Sequence, residues 1–123
     1  MVLLFTVTLQ AGHVQWHSGY EDAHKKALKE HKELLVVLFQ SVSTVSGRLI
    51  QRTFQEQSYI DFLNAHYVAV LVFADQKQSY PIELLYTVEY PALFFLDAHE
   101  VYTHDALTGE VTPERLRSHL GLP

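Results

Sequence analysis

Leu34-Leu-Val-Val-Leu-Phe39, then Gln40-Ser-Val-Ser-Thr-Val-Ser46, then Gly47-Arg-Leu-Ile50, is the stretch whose reading decides the fold. Six consecutive apolar residues rich in Val and Leu suit a central strand covered on both faces. The hydroxyl-rich heptad reads as a short loop. A helix follows over about Val45 to Gln55, with Leu49, Ile50 and Phe54 inward. Ser41, Ser43, Thr44 and Ser46 cluster where that helix begins, and hydroxyls there cap exposed N–H groups.

Toward the N-terminus, Ser18-Gly-Tyr-Glu21 has the form of a capping box. Tyr20, Ala23, Ala27 and Leu28 then give an apolar stripe at helical spacing through about Lys32. His13-Val-Gln-Trp16 alternates like a short strand, with Trp16 as its core anchor. Toward the C-terminus, Ser58 caps a further turn or two carrying Tyr59, Phe62 and Leu63. Tyr67-Val-Ala-Val-Leu-Val-Phe73 is a second buried strand, and Ala74 to Ser79 is a polar loop. Pro81 suits the first turn of a short helix through Tyr86. Ala92-Leu-Phe-Phe-Leu96 is a third buried strand, turned by Asp97-Ala-His-Glu100 into Val101 to His104. Gly109 marks a turn, and Thr112 with Pro113 opens a closing helix whose Leu116 and Leu120 face in. The order β-α-β-α-β-α-β-β-α predicts an α/β domain with a mixed central sheet and helices on both faces.

The chain has 123 residues, 48% hydrophobic and 19% charged, which excludes disorder and a coiled coil and fits one domain. Its formal net charge is −5. The densest basic cluster, His24 to Lys32, is diluted by Glu21, Asp22, Glu30 and Glu33, so no nucleic-acid partner is expected. Residues 1–12 stand apart from the domain at 13–123. Val2-Leu-Leu-Phe-Thr-Val-Thr-Leu9 before Gln10-Ala11-Gly12 reads either as a truncated export signal or as a first strand. The first reading is preferred and makes the protein periplasmic or otherwise exported; the second allows a cytoplasmic one. The segment is too short to span a bilayer.

The most distinctive string is Tyr90-Pro-Ala-Leu-Phe-Phe-Leu-Asp-Ala-His-Glu-Val101. Its proline, aliphatic strand, turn and Glu-Val resemble the thioredoxin superfamily, in particular exported thioredoxin-like domains that begin with Trp, Tyr and an Ala-rich helix. The resemblance runs over roughly residues 14 to 120 and includes Gly109 to Leu116. It implies a cis bond at Tyr90-Pro91, in a loop facing the helix start after Phe39. It also implies a Cys-x-x-Cys pair at that helix start, where a lowered thiol pKa supplies the attacking thiolate.

This chain has no cysteine. Aligning on loop length puts Thr44 and Gly47 at the two positions, and a shift of one puts Ser43 and Ser46 there. Neither leaves a redox pair, because a hydroxyl forms no disulfide. Leu38 takes the place of the buried acid that the family's strand commonly carries. No thiol–disulfide activity and no cofactor are therefore expected.

What the resemblance retains is a surface. The family holds extended chains along the proline loop by backbone hydrogen bonds, independently of thiols. The expected binding residues are Val42, Ser43, Thr44, Ser46, Gly47, Tyr90 and Pro91, with Tyr90 as an exposed aromatic, beside Tyr80, for a peptide or protein partner. Alternatives are a non-thiol enzyme using these serines with a histidine, and a subunit serving only assembly. The eight histidines form no His-Glu-x-x-His motif and read as surface residues rather than metal ligands. Their protonation, set against −5, lets mild acid reverse the sign of the net charge.

Overall fold

The computed structural model describes residues 12–40, 43–75 and 80–123. The elements are β1 (Trp16–His17), α1 (Tyr20–Glu30), β2 (Glu33–Phe39), α2 (Thr44–Gln51), α3 (Gln57–His66), β3 (Tyr67–Phe73), β4 (Ala92–Leu96), β5 (Tyr102–Thr108) and α4 (Pro113–His119). A 3-10 turn, Thr53–Gln55, joins α2 to α3. The five strands form one sheet in the order β1-β3-β2-β4-β5. Strand β3 is parallel to β1 and β2, while β4 is antiparallel to β2 and β5.

The central place of β2 follows from its sequence. All seven of its residues pair with β3, and Leu34 to Leu38 pair with β4 as well. Successive side chains of a strand point to opposite faces. Leu35, Val37 and Phe39 accordingly pack with Leu49, Phe54, Leu63 and Leu116 of the helical layer built by α2, α3 and α4. Leu34, Val36 and Leu38 pack with Ala23 and Ala27 of α1 and with Leu85. The α/β arrangement with helices on both faces is the one the element order predicts. Trp16 meets Phe54 edge-on at 5.0 Å, in the anchoring role expected of it.

Several local expectations need correction. Helix α1 starts at Tyr20 with Gly19 as its N-cap and no side-chain capping bond. The Ser18 box fails because it sits one residue outside the cap, and Glu21 and Asp22 complement the helix dipole instead. The helix also stops at Glu30, since His31 takes the left-handed conformation at φ 56°. The single helix expected over Val45 to Gln55 breaks at Arg52, and the 3-10 turn seats Phe54 in the core. Glu56, not Ser58, caps α3 by accepting from the Ser58 N–H. Pro81 starts no helix. One turn closes there, with the Leu85 N–H donating to the Pro81 carbonyl at 3.0 Å, and Leu85 is buried. The expected cap Thr112 and the expected Pro113 at the first turn of α4 are both present.

The outer strand β5 has its edge partly covered. The His119 ring nitrogen Nε2 lies 2.5 Å from the Asp105 carbonyl, and Arg115 donates to the Thr108 carbonyl at 3.0 Å. Occupied edge carbonyls disfavour pairing with another chain. Residues 1–11 and the 76–79 part of the expected polar loop lie outside the described residues.

Burial raises the pKa of the Tyr20, Tyr59 and Tyr67 phenols well above the ordinary tyrosine value, with a hydrogen bond from Tyr20 to Glu100 adding to the first. In the unfolded chain these groups ionise at about pH 10. The stability these three groups contribute is therefore fully present below about pH 10 and is lost as pH rises from there toward the higher folded values. Urea unfolding midpoints measured from neutral to alkaline pH are expected to fall steeply above about pH 10, and less steeply in Tyr20→Phe.

Candidate functional site

The buried strand β2 ends at Phe39, and α2 begins a few residues later. Ser43 is the N-cap of α2, in extended conformation, and Ser46 stands at the third helical position. The two close a capping box: the Ser46 N–H donates to Ser43 Oγ at 3.1 Å, and the Ser43 N–H donates to Ser46 Oγ at 2.8 Å. Their hydroxyl oxygens lie 3.1 Å apart. Ser46 is buried at 6% exposure, whereas Ser43 is exposed. The result is a hydroxyl pair, one member inside and one outside, joined through the capping box at the helix start.

The segment before β4 faces this pair. The Tyr90–Pro91 peptide is cis, and Pro91 is buried. The Gly109 N–H donates to the Pro91 carbonyl at 2.9 Å, which ties the loop to the end of β5. Gly109 has φ +74°, a left-handed backbone that favours glycine, and the exposed Glu89 side chain lies over its Cα. Thr87 Oγ1 accepts from the Glu89 N–H and donates to the Glu89 carbonyl, fixing the approach to Tyr90. Between the two sides lies a cleft of about 280 Å³ that Ser43, Ser46, Tyr90 and Pro91 line together with Phe39, Gln40, Val88 and Glu89.

Four of the seven expected site residues thus converge. Gly47 lines a separate apolar groove, Thr44 is exposed beside the cleft wall without lining it, and Val42 lies outside the described residues. Tyr90 is not an exposed aromatic. It is half-buried against the core on the α1 face, as is Tyr80. The exposed apolar residue is Val88, at 82%. Val88 and Glu89 were legible only as neighbours of Tyr90-Pro91, and Phe39 was read as strand alone.

Of the two alignments, the one with Ser43 and Ser46 names residues whose side chains meet, whereas Thr44 does not line the cleft and Gly47 lines the separate groove. Leu38 faces the α1 side of the sheet, and its neighbours Val37 and Phe39 face the α2 side. A shift of one residue along a strand exchanges its faces. Leu38 and Val37 are both buried and apolar, so neither face of the sheet receives an acid from this end of β2.

No histidine bonds to the serine pair among the described contacts: His24, His104 and His119 meet Ala98, Thr103 and Asp105. Among the described residues no three His, Asp or Glu side chains gather as a metal site. No described helix is long and apolar enough to cross a membrane. Arg48 on α2 grips Glu110 with two bonds of 2.9 and 3.0 Å, which orients α2 against the turn before α4.

No family model matches the chain, and no curated protein matches it. Solved structures do. A DsbH oxidoreductase superimposes with a TM-score of 0.70 at 19% identity, covering 100% of this chain and 95% of that one. A redox protein from Chlamydomonas reinhardtii gives 0.65 at 17% identity over 92% of this chain and 36% of that one. A poplar thioredoxin h mutant gives 0.60 at 16% identity, over 90% and 84%. At such identities the likeness establishes the fold. That fold is thioredoxin-like, built here without a cysteine.

The double variant Ser43→Cys, Ser46→Cys is expected to form a reversible disulfide, since the two side chains already converge and need only approach to about 2 Å between sulfurs. Thr44→Cys with Gly47→Cys places both residues inside α2, where Cβ atoms three residues apart are held about 5–6 Å apart, farther than the roughly 4 Å a disulfide spans, and thiol titration after mild oxidation is expected to find both thiols free.

Proposed function

We propose that this chain is a redox-inactive thioredoxin-like module that binds an extended peptide or protein segment across the cleft between Ser43, Ser46, Tyr90 and Pro91. The observation that carries the reading is the backbone at Tyr90. Its N–H and C=O take part in no hydrogen bond among the described residues, although the flanking Glu89 and Pro91 carbonyls are both engaged. An extended chain laid along the loop would satisfy both groups, as in strand addition at a sheet edge. Phe39 and Pro91 supply an apolar floor to the cleft, and the serine hydroxyls a polar wall. Without sulfur there is no thiolate to attack a disulfide. Binding then persists on a surface whose electron-transfer chemistry has been removed.

Amide chemical shifts of the full chain, followed during titration with dodecapeptides selected from a random display library, test this. Shifts concentrated at Ser43, Ser46 and Val88 to Ala92 are expected, with no insulin reduction above the dithiothreitol background. Shifts confined to α1 or to the outer face of β5 would overturn the reading.

Export belongs to the same proposal. Val2 to Leu9 has the character of a signal core, and Ala11-Gly12 that of its cleavage site. Intact-mass measurement of the protein from its native cells is expected to give a chain beginning at Gly12 in the envelope fraction. A cytosolic chain retaining Met1 would contradict it.

A further inference from the structure

Beside the cleft, and sharing Phe39 and Ser46 with it, lies an apolar groove of about 250 Å³ whose walls are Ile50 of α2 with Leu71 and Phe73 of β3. Gly47 lies on its lining, four residues into α2. Glycine is the least favourable helix residue apart from proline, because it gives up the most backbone freedom. Two reasons normally retain one: a positive φ, or a close approach of other atoms. Neither applies to Gly47, which is helical, and a Cβ built on it meets no atom within 4 Å. Nothing inside the fold calls for this glycine. What its missing side chain does is leave the groove open.

The cleft carries a charge that the fold also leaves unused. Glu89 stands exposed on the cleft wall, and its carboxylate has no ion-pair partner among the described residues. The one arginine of α2, Arg48, is already held by Glu110. The chain as a whole is acidic, at −5. Beside Glu89, Val88 presents an apolar surface to solvent.

From these observations we infer that groove and cleft form one bipartite site. Its occupant is an extended peptide segment that places an aliphatic or aromatic side chain in the Gly47 groove and, within a few residues of it, a lysine or arginine against Glu89. The inference rests on the reading of the cleft as a peptide site and adds the chemistry of the peptide. The groove has room for one such side chain and no charged residue on its lining, so it rejects an ion. The Glu89 carboxylate selects the cation by charge complementarity at a solvent-exposed position, where its effect on affinity is modest and sensitive to salt.

The test uses the full chain and peptides enriched from a random dodecapeptide display library, with binding read by fluorescence anisotropy. Enriched peptides are expected to combine an aliphatic or aromatic residue with a nearby lysine or arginine. Gly47→Ala is expected to raise the melting temperature by about 3 °C, as helix propensity dictates, while weakening binding about threefold. Gly47→Leu keeps a good helix former and fills the groove, so binding is expected to fall more than about tenfold with the circular dichroism spectrum unchanged. Glu89→Gln is expected to weaken binding about three- to fivefold and to flatten its salt dependence.

Wild-type affinity in Gly47→Leu, with peptide shifts still at the cleft, would overturn this inference and leave the cleft reading standing. Failure to enrich any peptide that shifts the cleft amides would overturn both. A synthetic peptide of residues 2–9 that displaces the enriched peptides, or a dimer in sedimentation that Gly47→Leu dissociates, would give the groove to this chain itself and overturn the inference.

Discussion

Strand β2 is hydrogen-bonded to β3 and β4 and buried on both faces, and everything else in the molecule is placed relative to it. A strand so enclosed has no freedom of register. Its alternation assigns Leu35, Val37 and Phe39 to one helical layer and Leu34, Val36 and Leu38 to the other. A slip of one residue would exchange these sets and leave neither layer matched. Because β2 is fixed, the chain leaves the sheet at a fixed point beyond Phe39, and that point sets where α2 starts. The serine pair stands at the start of a helix that is itself packed on the core through Leu49.

The second side of the cleft is positioned from the opposite direction. Strand β4 pairs with β2 through Ala92 to Leu96, so Pro91 enters the sheet next to the end of β2. Glu89 packed on Gly109, with the bond from Gly109 to the Pro91 carbonyl, fixes the loop from the β5 side. Two segments about fifty residues apart in sequence are thus brought together by strand pairing and by the tie to Gly109. The hydroxyls at the α2 start satisfy one another and the helix N-terminus, a stable arrangement that asks for no partner. Among the described residues, the Tyr90 backbone has no hydrogen-bond partner, the Glu89 carboxylate has no ion-pair partner, and Gly47 opens onto an unfilled groove. These border one another, and they make a binding surface a more economical reading than a catalytic one.

Much of this was legible in sequence, for identifiable reasons. Continuous apolar runs gave β2, β3 and β4, because strands buried on both faces tolerate nothing else. Thr112-Pro113 gave the start of α4, because capping and a fixed φ are local properties. Ser18 and Ser58 misled for the same local reason: a hydroxyl near a helix start is a candidate cap, and one residue of offset decides whether it reaches the N–H. Pro81 misled because its preference for a first turn cannot outweigh the burial of Leu85 in a loop.

The sequence by itself determined the α/β class, the absence of cysteine and the proline that precedes β4. These rest on composition, periodicity and single residue types, which act over a few residues. Tertiary structure decided which pair of positions faces that proline, that Tyr90 packs inward while Val88 projects, and that Gly47 opens onto a separate groove. Each of these is a matter of direction. The direction of a side chain is set by the pleat and pairing of strands far away in the chain, and a sequence records no such distance.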